Sequence, residues 1–297
     1  MKLLIVNLWI HHKNFIGLKL MLNYIKNNDE TFFYKIGDLS DVKKEFWDVI
    51  YSPAIPINSS LYPKTRFLFG PHFSVYPDNK LMNINNRLKN SIYLLPSDGC
   101  INWWRSMGVE NIIKIHKQYF PIDVDTFKPN DNNTNKQNEV FIYFKRRKQD
   151  ELNVLENYLR ENKINYKVFD YVKKYTENDY LKTLQNAKFG IILDAPESQG
   201  FAIEEALSCN VPLLVWNATS MSQEVGSNHP DVPCTSIPYW NEKCGEVFYK
   251  WGEFERAFNI FLKNIKNKKY NPRQFVLDEL SVKPCSEKFV SYLHYNS

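Results

Sequence analysis

The sequence lacks the features that mark disulfide-bonded, zinc-binding and membrane-spanning proteins. Its five cysteines are an odd number, are dispersed, and form no C-x-x-C pair. They predict reduced thiols in a cytosol-like compartment, neither a disulfide framework nor a zinc site. No run of about 18 apolar residues occurs, so no segment is predicted to cross a membrane. The apolar start, MKLLIVNLWIHHK, has no small-residue cleavage site, and it suits a first buried strand better than a signal peptide.

The chain also has little net charge for its size. A formal charge of +5 over 297 residues suits an anionic small ligand or a weak attraction to acidic lipid headgroups. The basic cluster at residues 145–148 has no interleaved aromatic residues and no second cluster, so we expect no nucleic-acid partner. Membrane contact is expected to be peripheral at most. A hydrophobic content of 43% predicts a folded chain with a sizeable core.

Short apolar runs alternate with helical patterns along the chain, which predicts α/β structure with parallel sheets. The polar stretch 130–138, NDNNTNKQN, is the best linker, and it predicts domains at 1–130 and 138–280. Residues 8–17 are predicted to be a loop that precedes a helix at 18–26. Near the other end, the patterns predict a strand at 235–240, a helix at 246–264 and helical structure over 272–294.

The most informative stretch is residues 188–217, which is predicted to form a strand, a turn, a helix and a second strand. Glu197 lies in the turn and Glu205 lies eight residues on, at most about 12 Å away along a helix that rises ~1.5 Å per residue. The free N–H groups of the helix N-terminus between them could receive a phosphate. This pattern suits a nucleotide sugar, with hydroxyls at both ends and a diphosphate in the middle. Alternatively, Glu197 is a solvated loop acid, and Glu204 and Glu205 form an exposed pair.

The segment ESQGFAIEEALSCNVPLLV resembles the E-x7-E signature of retaining GT-B glycosyltransferases. These are the family 4-like enzymes, or glycosyl transferases group 1, which include glycogen-synthase-like and sucrose-synthase-like proteins. The segments LLPSDGCINWWRSMGV and IHKQYFPIDVDTFKP resemble a helix and an exit segment of their acceptor-side domain. Asn210 replaces the usual Gly, which is acceptable because Asn tolerates left-handed backbone angles at a helix C-terminus.

The resemblance implies a GT-B fold, with two Rossmann-like α/β domains whose parallel sheets face a central cleft. It also implies that a C-terminal helix within residues 281–297 can cross back to the first domain. The implied reaction moves a sugar from a UDP-, GDP-, ADP- or dTDP-linked donor to a hydroxyl of a glycan, lipid or small molecule, with retention of configuration. No cofactor or metal is expected, because the implied fold resembles that of enzymes that use protein cations in place of a metal ion. In addition, no D-x-D signature occurs in a suitable loop.

The resemblance also implies roles for particular residues. Glu197 would fix the donor sugar, His72 would lie beside the reacting sugar, and Glu205 would hold the ribose hydroxyls. The diphosphate would be gripped by the cations Lys145 and Arg147 and by the turn Ser198, Gln199, Gly200 and Phe201. On the acceptor side, the first loop carries His11, His12 and Lys13, where the family usually has glycines. The two adjacent histidines are not expected to bind metal, because neighbouring strand residues point to opposite faces.

Blander interpretations remain open for several of these residues. His72 could be a loop histidine satisfied by backbone groups, and residues 145–148 could be a solvated basic turn. A nucleotide-sugar epimerase or hydrolase would share the fold, and so would a catalytically degenerate GT-B module that only binds sugars.

Overall fold

A computed structural model describes residues 1–71, 88, 90–130, 139–173 and 175–295, and the chain divides into two units. The first unit comprises Met1–Asp123 and Leu280–Ser297, and the second comprises Val124–Glu279. His72 and residues 131–138 of the predicted linker lie outside the described residues.

Within the described residues, strands and helices alternate along most of the chain. The strands are β1 (Lys2–Val6), β2 (Phe33–Gly37), β3 (Val49–Ser52), β4 (Arg66–Phe69), β5 (Ser91–Leu95), β6 (Lys114–Lys117), β7 (Glu139–Lys145), β8 (Tyr166–Asp170), β9 (Ala187–Asp194), β10 (Leu213–Trp216) and β11 (Gly245–Phe248). The α-helices are α1 (His12–Asn28), α2 (Asp98–Ser106), α3 (Gln149–Glu161), α4 (Glu177–Asn186), α5 (Phe201–Ser208), α6 (Phe254–Lys266), α7 (Pro272–Glu279) and α8 (Val282–Leu293).

The first unit is built on a six-stranded sheet in the order β2-β1-β3-β4-β5-β6. Every neighbouring pair in it is parallel. Strands β3 and β5 are buried along their whole length, as expected for a parallel sheet covered on both faces.

Helix α1 begins at His12, six residues before the start that the sequence predicted. Gly17 favoured a loop, but it lies inside the helix and is buried. A Cβ added at Gly17 would lie 2.8 Å from the Cβ of Phe120, so the glycine allows the helix to approach that segment closely. The loop predicted for residues 8–17 was therefore wrong beyond residue 11.

The C-terminal helix α8 packs against α1 within the first unit. The backbone N–H of Ile122 donates to the carbonyl of Leu280 at 2.9 Å. The Tyr292 hydroxyl donates to the carbonyl of Lys117 at 2.8 Å. These contacts join residues 280–292 to the last residue of β6 and to the segment that follows it.

The second unit is built on a five-stranded parallel sheet in the order β11-β10-β9-β7-β8. From β7 the chain moves to one side to form β8, and then to the other side to form β9, β10 and β11. The strand order therefore reverses between β7 and β9, and ligands of open α/β sheets bind beside the carboxyl ends of strands at such a point. The predicted α/β class with parallel sheets is confirmed.

The end of this sheet differs from the prediction. Residues 235–240 form no strand, and the edge strand β11 instead covers the start of the helix predicted at 246–264. Four residues are too few to show their own period beside the strongly amphipathic helix α6 that follows. Further on, the helical pattern over 272–294 divides into α7 and α8.

Candidate functional site

The carboxyl ends of β7 and β9 bring Lys145 and Asp194 side by side, because these two residues are partners in the strand register. Three residues after Asp194, in the turn before α5, Glu197 accepts a hydrogen bond from Lys145 Nζ. The side chains of Lys145 and Glu197 are only 17% and 14% exposed. Two residues singled out from the sequence thus form a shielded ion pair at the point where the strand order reverses.

Burial and neighbouring charges shift the pKa values of both Lys145 and Asp194. Burial by itself would lower the pKa of Lys145, but nearby carboxylate charge, of which Glu197 supplies the largest part, outweighs burial and raises that pKa. Asp194 is 0% exposed, and its pKa is raised well above the ordinary value by burial and then by the Glu197 carboxyl. These surroundings therefore favour the charged form of Lys145 and the protonated form of Asp194.

Asp194 is the site residue that the sequence analysis missed. Neither of its carboxyl oxygens has a hydrogen-bond partner among the residues described. Its backbone carbonyl, in contrast, accepts from Ser236 Oγ at 2.8 Å. The sequence feature that could have identified Asp194 is its place directly at the end of an apolar strand. Ligands of parallel sheets bind beside the carboxyl ends of the strands.

The turn after Glu197 leads into α5 through Gly200, which is the N-cap and has a left-handed φ of 92°. The N–H groups of Ile203 and Glu204 both donate to the Gly200 carbonyl at 3.0 Å. The N–H groups of Phe201 and Ala202 precede these bonds at the start of the helix, where backbone donors favour an anion. Ser198 is exposed, whereas Gln199 is buried and donates to Glu204 Oε2 at 3.0 Å. The Glu197 N–H donates to the Thr235 carbonyl at 3.1 Å, which fixes the start of the turn.

Glu204 and Glu205 are both buried, so the alternative of an exposed acid pair was wrong. Burial raises the pKa of Glu204 well above its ordinary value, and the hydrogen bond from Gln199 opposes this shift. Glu205 lies near two tyrosines, Tyr175, which precedes α4, and Tyr180, which belongs to it. Burial raises the pKa of Tyr175 to about 12, and the Glu205 carboxylate contributes to that shift. Glu205 is thus largely enclosed and has tyrosine side chains nearby.

Arg147 is 3% exposed, and its guanidinium is directed into the protein. Nη1 donates to the carbonyls of Asp194 and Trp216, at 3.1 Å each. Nε and Nη2 donate to the Glu151 carboxylate at 3.0 and 2.6 Å. Arg147 therefore ties the ends of β9 and β10 to α3, a different role from the diphosphate contact that the resemblance implied.

The long polar loop that follows β10 is attached to the loop after β7. The Val225 N–H donates to the Arg146 carbonyl at 2.8 Å, and the Arg146 side chain pairs with Glu224. His229 Nε2 lies 3.4 Å from the same Glu224 carboxylate. These contacts hold the loop near the basic residues that follow Lys145.

The predicted acceptor-side residues belong to the first unit. His11 is the N-cap of α1, and His12 and Lys13 lie in its first turn instead of in a loop. Among the described residues, no group of three or more His, Cys, Asp or Glu side chains is arranged to hold a metal ion. No helix in this part of the chain combines the length and apolar character that crossing a membrane requires.

Solved structures similar to this chain identify the fold. Sucrose-phosphate synthase from Thermosynechococcus elongatus aligns with 86% of this chain and 75% of its own, at 11% identity and a TM-score of 0.56. The catalytic domain of starch synthase IV from Arabidopsis thaliana, bound to ADP and acarbose, aligns with 84% and 73%, at 11% identity and 0.55. Together with the two parallel sheets, these matches decide the architecture. The chain has the GT-B fold.

A third match is the N-terminal domain of trehalose-6-phosphate phosphatase from Candida albicans. It covers 99% of this chain and 96% of its own, at 9% identity and a TM-score of 0.61. No family model matches the sequence, and no curated protein matches it. At these identities the similarity establishes the fold alone.

The secondary structure that the sequence predicted around Glu197 and Glu205 is observed in this GT-B chain. The strand, turn and helix expected over 188–209 occur as β9, the turn and α5. Asn210 has a φ of 57°, so the left-handed angle expected of it is confirmed. The cluster of Lys145, Asp194 and Glu197 lies at the carboxyl ends of β7 and β9 in the second unit's sheet.

Proposed function

We propose that this protein is a retaining glycosyltransferase that moves a sugar from a nucleotide diphosphate sugar to an acceptor hydroxyl. The observation that carries the proposal is the Lys145–Glu197 pair at the strand reversal of a GT-B chain. It lies beside a helix N-terminus that can accept phosphate oxygens. A hydroxylated sugar and a diphosphate need such an acid and such a cation close together.

The roles follow from the movement of charge in the reaction. As the glycosidic bond breaks, positive charge grows on the sugar ring and negative charge grows on the leaving diphosphate. Lys145 and the N–H groups at Gly200 and Phe201 stabilise the diphosphate more in the transition state than in the ground state. Glu197 accepts hydrogen bonds from donor-sugar hydroxyls, and Glu205 accepts them from the ribose. The proposal uses protein cations in place of a metal ion.

The remaining site residues stay predictions. Ser198 and Gln199 belong to the turn that would enclose the diphosphate. His72 is expected beside the reacting sugar, and His11, His12 and Lys13 on the acceptor side. The donor base, the sugar and the acceptor are left open among UDP-, GDP-, ADP- and dTDP-sugars and hydroxyl-bearing glycans, lipids or small molecules.

A thermal-shift screen against UDP-, GDP-, ADP- and dTDP-linked sugars tests the proposal. A donor present at about 100 times its Kd should add roughly 2.7 kcal/mol of stability. The donor that responds should then yield product with the same anomeric configuration in an NMR assay with acceptor glycans. No shift with any donor would count against the proposal, and an inverted product would exclude the retaining mechanism.

Two alanine variants separate the roles of the acids. Glu205→Ala should weaken binding of the responding nucleotide, whereas Glu197→Ala should mainly reduce turnover. Glu161→Ala, at an exposed position at the end of α3, is the matched control. Wild-type nucleotide affinity in the Glu205 variant, or unchanged turnover in the Glu197 variant, would remove the corresponding role.

A second candidate function is sugar or nucleotide binding without transfer. It is favoured by Arg147, whose guanidinium donates to the carbonyls of Asp194 and Trp216 and to Glu151, so that this expected diphosphate contact is missing. Calorimetry with UDP, GDP, ADP and dTDP distinguishes a glycan-binding module, which would ignore the diphosphates. An epimerase or hydrolase of the same fold would convert or release the sugar when no acceptor is present.

A further inference from the structure

The Asp194 carboxyl is buried beside a charged pair, yet it receives no hydrogen bond from the described residues. Its exposure is 0%, and both carboxyl oxygens lack a donor. A buried carboxylate without donors or a cation of its own costs several kcal/mol, so such a group takes up a proton instead. The protonated carboxyl then carries an O–H that needs an acceptor.

The Glu197 carboxylate is the acceptor within reach. Lys145 is the strand-register partner of Asp194, and the same Lys145 donates to Glu197. The Glu197 carboxyl contributes both its charge and a hydrogen bond to the raised pKa of Asp194, and a hydrogen bond between two carboxyls needs a proton on one of them. Glu197 holds the ammonium of Lys145 and is partly exposed, whereas Asp194 is enclosed, so the proton belongs on Asp194.

We propose that Asp194 is a positioning residue that stays protonated and donates its hydroxyl hydrogen to Glu197. Glu197 then has two donors, Lys145 from β7 and Asp194 from β9. When a diphosphate draws the Lys145 ammonium away, the bond from Asp194 keeps the Glu197 carboxylate oriented toward the donor sugar. This part of the inference rests on the proposed glycosyl transfer, whereas the hydrogen bond itself does not.

The other groups around Asp194 are consistent with a neutral carboxyl. The charged groups are Lys145 and Glu197. The titratable hydroxyls are those of Tyr143 in β7, Tyr175 before α4 and Tyr180 within α4. The Arg147 guanidinium meets the backbone carbonyl of Asp194. With Asp194 protonated, Lys145 and Glu197 neutralise each other, whereas a second carboxylate would leave a net negative charge where the diphosphate is to bind.

Infrared spectroscopy of the ligand-free protein tests the hydrogen bond directly. The C=O stretch of a protonated carboxylic acid should be present in the wild type at pH 7 and reduced in Asp194→Asn. Glu204→Gln is the matched control, because Glu204 is the other buried acid expected to be protonated, and the part of the band due to Asp194 should survive in it. If Asp194→Asn does not fold, Glu197→Gln should shift the Asp194 band, because a neutral amide oxygen is a weaker acceptor than the carboxylate that it replaces. A C=O band that is the same in the wild type, Asp194→Asn and Glu197→Gln would overturn the proposal.

The pH profile of nucleotide binding tests the positioning role. Affinity for the nucleoside diphosphate that responds in the UDP, GDP, ADP and dTDP panel should fall as pH rises through the raised pKa of Asp194, since ionisation adds a negative charge. Asp194→Asn, which keeps a donor but cannot ionise, should lose that alkaline decline, and Asp194→Ala should bind more weakly at every pH. A decline that persists in Asp194→Asn overturns the positioning role. If no nucleotide binds, the proposed function fails. The infrared result then still tests whether Asp194 donates a hydrogen bond to Glu197.

Discussion

Lys145 is held by two acids of unequal character. Glu197 pairs with it through a hydrogen bond, whereas the buried Asp194 affects it through space. The Glu197 carboxylate raises the pKa of Lys145 against the effect of burial, so the ammonium stays charged although it is largely shielded from water. A shielded cation acts on a diphosphate at a lower effective dielectric constant, where each charge–charge contact is stronger.

Lys145→Met removes the charge and keeps the length of the side chain. Since a hydrogen bond to a charged group contributes about 1.5–3 kcal/mol, affinity for the responding nucleoside diphosphate should fall about 10- to 100-fold. Calorimetry measures the loss. Lys188→Met is the matched control, because Lys188 is exposed near the opposite end of β9. Equal affinities in the wild type and Lys145→Met would contradict the role given to this cation.

Glu204→Gln should change how stability depends on pH. The unfolded chain releases the Glu204 proton near pH 4.3, but the folded protein retains it to higher pH, so wild-type stability falls as pH rises between the two values. The amide cannot titrate and can still accept from Gln199. The advantage of the variant should therefore grow by up to about 1.4 kcal/mol per pH unit over that window.

Urea unfolding of wild type and Glu204→Gln between pH 4 and pH 8 gives this difference. Glu161→Gln, at an exposed site, should show no comparable trend. A stability difference that stays constant over this pH range would mean that Glu204 is not held protonated by the fold.

At the scale of elements, the turn between β9 and α5 depends on backbone conformation as well as on side chains. Gly200 has φ 92° and ψ 48°, which places the N-cap in the left-handed region. A Cβ added there would lie 3.7 Å from its nearest neighbour, so there is space for it and the cost of substitution is backbone strain. The turn that presents Glu197 and the helix amides therefore favours glycine.

Gly200→Ala should lower the free energy of unfolding by about 1–2 kcal/mol, the cost of a left-handed angle for an L-residue. Gly252→Ala is the matched control, since a Cβ there meets no atom within 4 Å and its φ is not positive. Urea unfolding of both variants measures the difference. Equal stabilities would show that the turn can relax without cost.

At the scale of the whole molecule, residues from both ends of the chain complete the first unit. Helix α8 lies against α1, and the Phe289 ring packs against Tyr51 of β3 with the ring centroids 5.5 Å apart. Phe289 is fully buried. The last helix is therefore part of that unit's core, although it follows the entire second unit in sequence.

Phe289→Ala should cost about 3–5 kcal/mol, because it removes a buried aromatic ring and leaves a cavity. Hydrogen exchange should accelerate at the amides of β1 and β3 and remain unchanged at β7 and β9, which belong to the other unit's sheet. Glu287→Ala, on an exposed face of the same helix, should leave exchange at β1 and β3 unaltered. Unchanged exchange at those strands in Phe289→Ala would contradict this role of α8.

The sequence by itself determined the alternation of strands and helices, and the strand, turn and helix that carry Glu197 and Glu205. Those features depend on local periods and on residues with strong backbone preferences, such as Gly200 and Asn210. The same local reasoning failed at Gly17 and at β11, where close packing and a very short strand concealed the element.

Only the tertiary structure decided which charges meet. The pairing of Lys145 with Glu197, the inward direction of Arg147 and the burial of Asp194 all depend on the register between β7 and β9. That register is a non-local property, set by the packing of the whole sheet and not by the neighbours of each residue in sequence. Burial then determines which acid keeps its proton, because the cost of an ionised carboxyl depends on the surroundings that the fold supplies.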